Sequence, residues 1–253
     1  MDTIRMINAE LLKLRRRSLI AWTGGLTLGG SVSFLVVNAW RHHSDPAHFG
    51  PAGGAVNLSH AMQILAYLST VAAVLVGTTA GGQDQASGVL RDLVSTGTSR
   101  LRLFAVRVPA ALMFYLVWFI PAFAVPAVAS RVLAGGLPAP QAGVLIQYGL
   151  GVGLSTTLDV VLAVGLAALL GSRSVAIGVL LGWELAFSRL LEHMSSLGAA
   201  RQLLASSAVD RILPAMGAPR VVSMSAVAAA LVLTGWAVVV SAAGAWKTVT
   251  RDA

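Results

Sequence analysis

Six long, mostly apolar runs dominate this sequence, at residues 18–39, 60–80, 103–130, 141–170, 175–192 and 221–246. No other feature narrows the fold so far. The hydrocarbon core of a bilayer is about 30 Å thick, and roughly 20 helical residues cross it. Inside lipid a backbone must satisfy its own hydrogen bonds, so a crossing segment is a helix or part of a closed barrel. These runs are continuously apolar and lack the short alternating segments of a barrel, which selects helices. Only 11% of the 253 residues are charged, where a soluble domain carries about a quarter. Lipid is therefore the main solvent. The expected fold class is all-α integral membrane, one domain over 1–253 with six transmembrane helices.

The formal net charge is +8. In a soluble chain that would point to nucleic acid. Here the basic residues flank apolar runs, so they set orientation and no nucleic-acid partner is expected. Twelve of the 18 basic residues fall on one side of a six-span layout: Arg5, Lys13, Arg15, Arg16, Arg17, Arg91, Arg100, Arg102, Arg107, Arg173, Lys247 and Arg251. The opposite side carries Arg41, Arg131, Arg201, Arg211 and Arg220, and Arg189 lies within the fifth run. By the positive-inside rule both termini, and the 81–102 loop, belong in the cytoplasm (N-in, C-in), which puts the chain in the cell membrane as a multi-pass protein. The first run is too long for a signal peptide and no small-residue cleavage site follows it, so it is read as a retained span. The chain has no cysteine, which removes disulfides and thiolate metal sites.

Residues 1–17 read as an amphipathic interfacial helix. Ile4, Ile7, Leu11 and Leu14 recur at helical spacing and form the expected apolar face, with Arg5, Lys13, Arg16 and Arg17 away from it and the bases toward the anionic headgroups of the lipid bilayer; Glu10 and Arg15 belong to the same interfacial helix, and the alternative is an ordinary basic flank before a membrane helix. A polar loop is expected from Trp40 to Ser59. Pro109, Pro121 and Pro126 should kink the third span or set its ends. Glycines 149, 151 and 153 in the fourth span allow close helix approach. Residues 193–220 hold two short apolar pieces, around Leu203-Leu204 and Ile212-Leu213, neither long enough to cross. They read either as a plain outer loop with helical turns or as a re-entrant pair of short helices.

The longest polar break in the first half is residues 81–102, GGQDQASGVLRDLVSTGTSRLR. Val89, Leu90, Leu93 and Val94 would make one compact apolar stripe on a helix running from Asp84 to Ser95. Gly97 suits a helix stop and Ser99 an N-cap for the helix entering the third span. The apolar stripe fits either lipid or a protein partner. The segment resembles the cytoplasmic coupling loop of ABC-2 type transporter permeases. The matching positions are Asp84 or Gln85, Gly88, Val89-Leu90, Leu93-Val94 and Thr96-Gly97-Thr98-Ser99-Arg100, with Gly97 standing where the family has proline. Ala9-Glu10-Leu11-Leu12-Lys13-Leu14-Arg15-Arg16 resembles the family's opening interfacial helix. The resemblance implies a permease that pairs with a second permease subunit, alike or different, and with two copies of an ABC ATP-binding subunit. ATP and Mg would then be bound by that partner and no cofactor by this chain. The coupling contact would fall on Asp84, Gln85, Gly88, Leu90, Arg91, Asp92, Leu93, Gly97, Ser99 and Arg100. It further implies a coupling helix between spans 2 and 3, an outer segment before span 6 that shapes the exit, and export of a hydrophobic or amphipathic drug, antibiotic, peptide or lipid. The sequence contains no G-x-x-x-x-G-K-[ST] phosphate loop.

Two acids lie inside spans. Asp159 is about 18 Å along a helix from Gly171, and Glu184 about 14 Å from Val175, so on neighbouring antiparallel helices they reach similar depth. Buried acids of this kind need a partner or a cavity. The first reading is structural, with Arg189 as the basic partner of Glu184 or of Glu192. The second is the polar lining of a substrate path. The pattern His42-His43-x-Asp45-x-x-His48 is read as a solvated loop with no metal bound. Neither HExxH nor GxSxG occurs, so no catalytic residues and no enzymatic activity are expected. The chief alternatives to an ABC permease are a proton-coupled secondary transporter using Asp159 and Glu184, and a non-transporting membrane scaffold.

Overall fold

A computed structural model describes residues 3–86, 99–213 and 221–250, with backbone alone at 83–86. Among the described residues every regular element is helical. The elements are α1 (Thr3–Leu14), α2 (Arg17–Ser44), α3 (Gly54–Ala86), α4 (Arg100–Ala105), α5 (Arg107–Val132), α6 (Ala142–Leu170), α7 (Arg173–His193), a 3-10 segment (Ser195–Leu203), α8 (Ala205–Ile212) and α9 (Ala226–Thr250). Six helices are long and apolar enough to cross a membrane: α2, α3, α4 with α5, α6, α7 and α9.

The spans sit where the apolar runs put them, but several ends move. α2 continues to Ser44 and α3 begins at Gly54, so the expected loop from Trp40 to Ser59 shrinks to residues 45–53. The reason lies in the loop's tethers. Asn57 donates its amide to the Pro51 carbonyl at 2.7 Å and to the Gly53 carbonyl at 3.0 Å. The Gly53 amide donates to Leu133 O at 2.9 Å, and a Cβ on Gly53 would lie 2.4 Å from the Leu133 backbone. In the first turn of α3 the Ala55 amide donates to Pro138 O at 3.2 Å, so cross-loop bonds that hydropathy does not report hold the helix start. At its other end α3 runs on to Ala86, so Asp84 and Gln85 belong to the span helix and do not open a separate one.

The face of α1 also differs from expectation. Met6, Glu10 and Leu14 are buried, while Ile4 is 73% exposed and Leu12 65%. Met6 and Ile7 pack on Leu103 and Val106 at the junction of α4 and α5. The helix thus rests one row on protein and leaves a second apolar row outward. Of the expected stripe Ile7, Leu11 and Leu14 do pack on protein, Ile4 does not, and Glu10, expected at the interface, is buried.

The third span is interrupted at Val106, which separates α4 from α5. Pro109 sits in the first turn of α5, where its missing N–H is tolerated. Pro121 and Pro126 lie inside α5, which passes through both. Two other spans carry π turns, Gly25–Gly29 in α2 and Trp183–Phe187 in α7.

α6 is the central helix and packs most closely on α3 and α9. Lipid is as apolar as a leucine side chain, so helix association in a bilayer relies on close packing and hydrogen bonds. Backbone contact provides the packing. A Cβ on Gly81 would lie 2.4 Å from Val164 O, one on Gly77 2.6 Å from Val160 O, and one on Gly244 2.5 Å from Gly165 O. The expected glycines act differently: Gly149 and Gly153 receive the Phe123 and Phe119 rings, and Gly151 receives Leu213. The main core joins α3, α5 and α6 through Met62, Leu65, Val76, Tyr115, Phe119, Val160 and Val164.

Candidate functional site

Two polar constructions stand out in an otherwise apolar bundle. The first is inside it. Asp159 of α6 is 7% exposed and accepts a hydrogen bond from Thr70 Oγ1 of α3 at 2.8 Å. Glu184 of α7 lies within electrostatic reach of Asp159, as the depth argument expects, and is half-buried. It sits in the π turn Trp183–Phe187, where an extra residue per turn re-aims side chains; such turns recur at functional sites. Beside Asp159, Tyr115 of α5 is fully buried and its hydroxyl lies against Ser69 and Thr156.

Of its two expected partners Arg189 takes Glu192, and it adds Asp210. It donates to Asp210 Oδ2 at 2.7 Å and to Glu192 Oε2 at 3.2 Å. Glu192, 2% exposed, also accepts from Ser207 Oγ at 3.2 Å, and its carbonyl accepts from Arg201 at 3.2 Å. This group clamps the end of α7 to the 3-10 segment and α8, and gives the residue range 195–212 a folded form. The 3-10 segment bends at Gly198, whose φ is +50°. Glu184 is still within electrostatic range of Arg189, but among the described residues no ion pair joins them.

The second construction is the root of the 81–102 loop. Arg107 is fully buried and donates from Nη1 to the Gly81 carbonyl at 3.1 Å. That bond ties the end of α3 to the start of α5. Ser99 caps α4, its hydroxyl accepting from the Arg102 amide at 3.4 Å. Arg100 reaches the Val249 carbonyl of α9 at 3.3 Å. Gly88, Leu90, Arg91, Asp92, Leu93 and Gly97 lie outside the described residues. On α1, Lys13 bonds Glu10 at 2.7 Å, and Arg15, Arg16 and Arg17 are exposed. Arg16 comes within electrostatic reach of Arg173 at the start of α7.

Sequence reasoning missed Thr70, Arg107 and Asp210. Arg107 carried a signal, being a base several residues inside the third apolar run. Asp210 did too, as the sole acid of residues 193–220. Thr70 carried none that separates it from other hydroxyls in spans. In the histidine loop, His42 Nδ1 lies 2.8 Å from Phe49 O and His48 Nδ1 2.7 Å from Asp45. Among the described residues no three His, Cys, Asp or Glu side chains converge as metal ligands.

The fold and its apolar helices define a multi-pass helical membrane protein. No protein-family model matches the chain, and no curated protein matches it.

Proposed function

We propose that this chain is the transmembrane subunit of an ATP-driven exporter of the ABC-2 type, with its 81–102 loop in the cytoplasm and docked on a separate ATPase. The observation that carries the reading is the conjunction in the sequence of a six-span layout, a basic N-terminal helix, and a loop after span 2 with the coupling pattern Gly88-Val89-Leu90 and Leu93-Val94 leading to Ser99-Arg100. The way that loop is rooted supports it. A partner that pushes on a loop moves the spans only if the loop's ends are stiff. Here one end is bound through Gly81 to buried Arg107, and the other through Ser99 and Arg100 to α4 and α9. The chain itself has no phosphate loop, so the energy source lies on a partner. The transported compound is hydrophobic or amphipathic, in keeping with apolar helix faces, and a second permease copy completes the path.

The test is isolation of the tagged, full-length chain from its native membrane in mild detergent. A phosphate-loop ATPase should co-elute in stoichiometric amount with vanadate-sensitive ATP hydrolysis, and Leu93→Asp should lose both while still inserting. A chain that elutes without an ATPase, or a Leu93→Asp protein that keeps its full complement, overturns the proposal.

A further inference from the structure

Positive charge gathers at the end of the bundle where α2 and α7 begin. Arg15, Arg16 and Arg17 stand exposed at the junction of α1 and α2. Arg173, also exposed, opens α7 and lies within electrostatic reach of Arg16. The backbone fixes its place, since an added Cβ on Gly82 of α3 would lie 3.6 Å from the Arg173 amide nitrogen. Among the described residues the ion pairs use other bases, so no carboxylate neutralises these four guanidinium groups. The start of α2 has no side-chain cap either. Like charges gathered in this way repel one another until an anion is shared among them. The outward apolar row of α1, with Ile4 and Leu12 exposed, sets the cluster at the level where lipid headgroups meet acyl chains.

Beyond the cluster the surface turns apolar within two helical turns. α2 and α7 both pack on α3 and not closely on each other, which leaves a groove with α3 as its floor. Leu68 of α3 meets Gly30 of α2, and Gly82 of α3 meets Arg173; half-buried Val71 and Leu75 share that face of the helix. On α2, exposed Trp22 and half-buried Leu26 continue the row of Gly30 at four-residue spacing. On α7, Gly178 and Leu181 lie on the flank turned from α9, which α7 meets through Trp183 against Trp236. An added Cβ on Gly178 would meet nothing within 4 Å, so the groove is open there. Trp22, Leu75 and Gly178 are each about 8–10 Å along their helices from Arg16, Gly82 and Arg173, so floor and walls become apolar at one level.

A charged mouth over an apolar groove matches the two parts of a phospholipid. Basic pockets between membrane helices hold anionic headgroups, and arginine meets phosphate through paired N–H donors. A second copy of the chain fits less well: two-fold pairing through this face would set four unneutralised charges against the same four. We propose that Arg16 and Arg173, with Arg15 and Arg17 beside them, hold the headgroup phosphate of one anionic phospholipid whose acyl chains lie in the groove between α2 and α7. The bound lipid would bridge two helices that the protein itself leaves apart. The site is argued from this chain alone and does not depend on pairing with an ATPase.

The test is titration of the full-length chain in mild detergent with phosphatidylglycerol, read by native mass spectrometry. One molecule should bind saturably, where phosphatidylcholine of the same chains does not. Arg173→Gln should weaken binding by about tenfold or more, and Arg16→Gln should repeat the loss from the other element. Arg41→Gln removes an equal charge from the far end of α2, where Arg41 lies over the Phe49 ring, and should bind as the parent does. Gly178→Leu keeps every arginine and fills the groove, so it too should weaken binding. Equal binding of the two lipids, equal affinity in Arg173→Gln and Arg41→Gln, or undiminished binding in Gly178→Leu would each overturn the proposal. So would competition by glycerol phosphate at the lipid's own concentration, which marks a soluble-anion site, or a lipid-free dimer that Gly178→Leu splits. None of these outcomes bears on whether an ATPase co-elutes.

Discussion

Gly81 offers the sharpest test of how the bundle is held together. Its Cα faces the backbone of α6, and an added Cβ would lie 2.4 Å from Val164 O and 3.0 Å from the Ala167 Cβ. The obstacle at Val164 is main chain, which cannot rotate away. Restoring ordinary contact requires α3 and α6 to part by about 1 Å, and overpacking of this kind costs about 1–3 kcal/mol. Gly81→Ala also gains helix propensity, worth about 1 kcal/mol, which would blur the steric cost if measured alone. Gly178→Ala supplies the reference. It too lies within a span helix, and its Cβ would meet nothing within 4 Å. Both substitutions take the propensity gain, so their difference isolates the clash. At about 2–4 °C per kcal/mol for a chain of this size, Gly81→Ala should melt roughly 2–12 °C below Gly178→Ala. The assay is thermal unfolding in one detergent, followed by tryptophan fluorescence and by loss of the monodisperse gel-filtration peak. Equal melting temperatures, or a higher one for Gly81→Ala, would refute backbone contact as the cement between α3 and α6.

Three further outcomes are expected. Arg189→Met strips Asp210 and the buried Glu192 of their shared base; with Arg189 partly exposed, the loss should be about 1–3 kcal/mol, and a double-mutant cycle with Asp210→Asn should show coupling in the melting temperatures. Arg107→Met leaves the Gly81 carbonyl short of its side-chain donor, and should lower stability by about 1–3 kcal/mol, with Arg107→Lys recovering part of it. If the proposed function holds, charge reversal at Arg91 or Asp92 should release the partner ATPase or uncouple its hydrolysis from transport, read by co-elution and by ATP turnover in proteoliposomes; normal transport by both variants would place the coupling contact elsewhere.

Much of the architecture is legible from apolar run length, because the bilayer imposes one dimension on every span. The six helices fall where the runs lie. Their ends do not follow from the same signal, since the start of α3 is held by bonds from Gly53 N to Leu133 O and from Ala55 N to Pro138 O, in a loop distant in sequence. The depth argument brings Asp159 and Glu184 to the same level, and the structure has them within electrostatic reach. It could not supply Thr70, because nothing local distinguishes a hydroxyl that reaches across from one that bonds its own helix, as Thr78 and Thr79 do. At Arg189 the reading is met in part: the pair with Glu192 at 3.2 Å is one of its two alternatives. Glu184 and Glu192 are both near it along the chain, yet its shortest bond is to Asp210 at 2.7 Å. For α1, three- and four-residue spacing marks apolar positions without telling which row meets protein and which meets lipid.

The contacts between α3 and α6 carry a mechanical consequence. The two helices are fastened at Gly77 and Gly81 by main-chain contact, and again at Thr70 by its bond to Asp159. Gly81 and Thr70 are separated by about 16 Å of helix. Two fastenings so far apart forbid both sliding and swivelling between the pair, so α3 and α6 form a single strut. Any force that reaches the Gly81 end would arrive at the buried carboxylate without slack, and relative motion would be left to α2 and α7, because α9 is itself held to α6 by the backbone contact of Gly244 on Gly165.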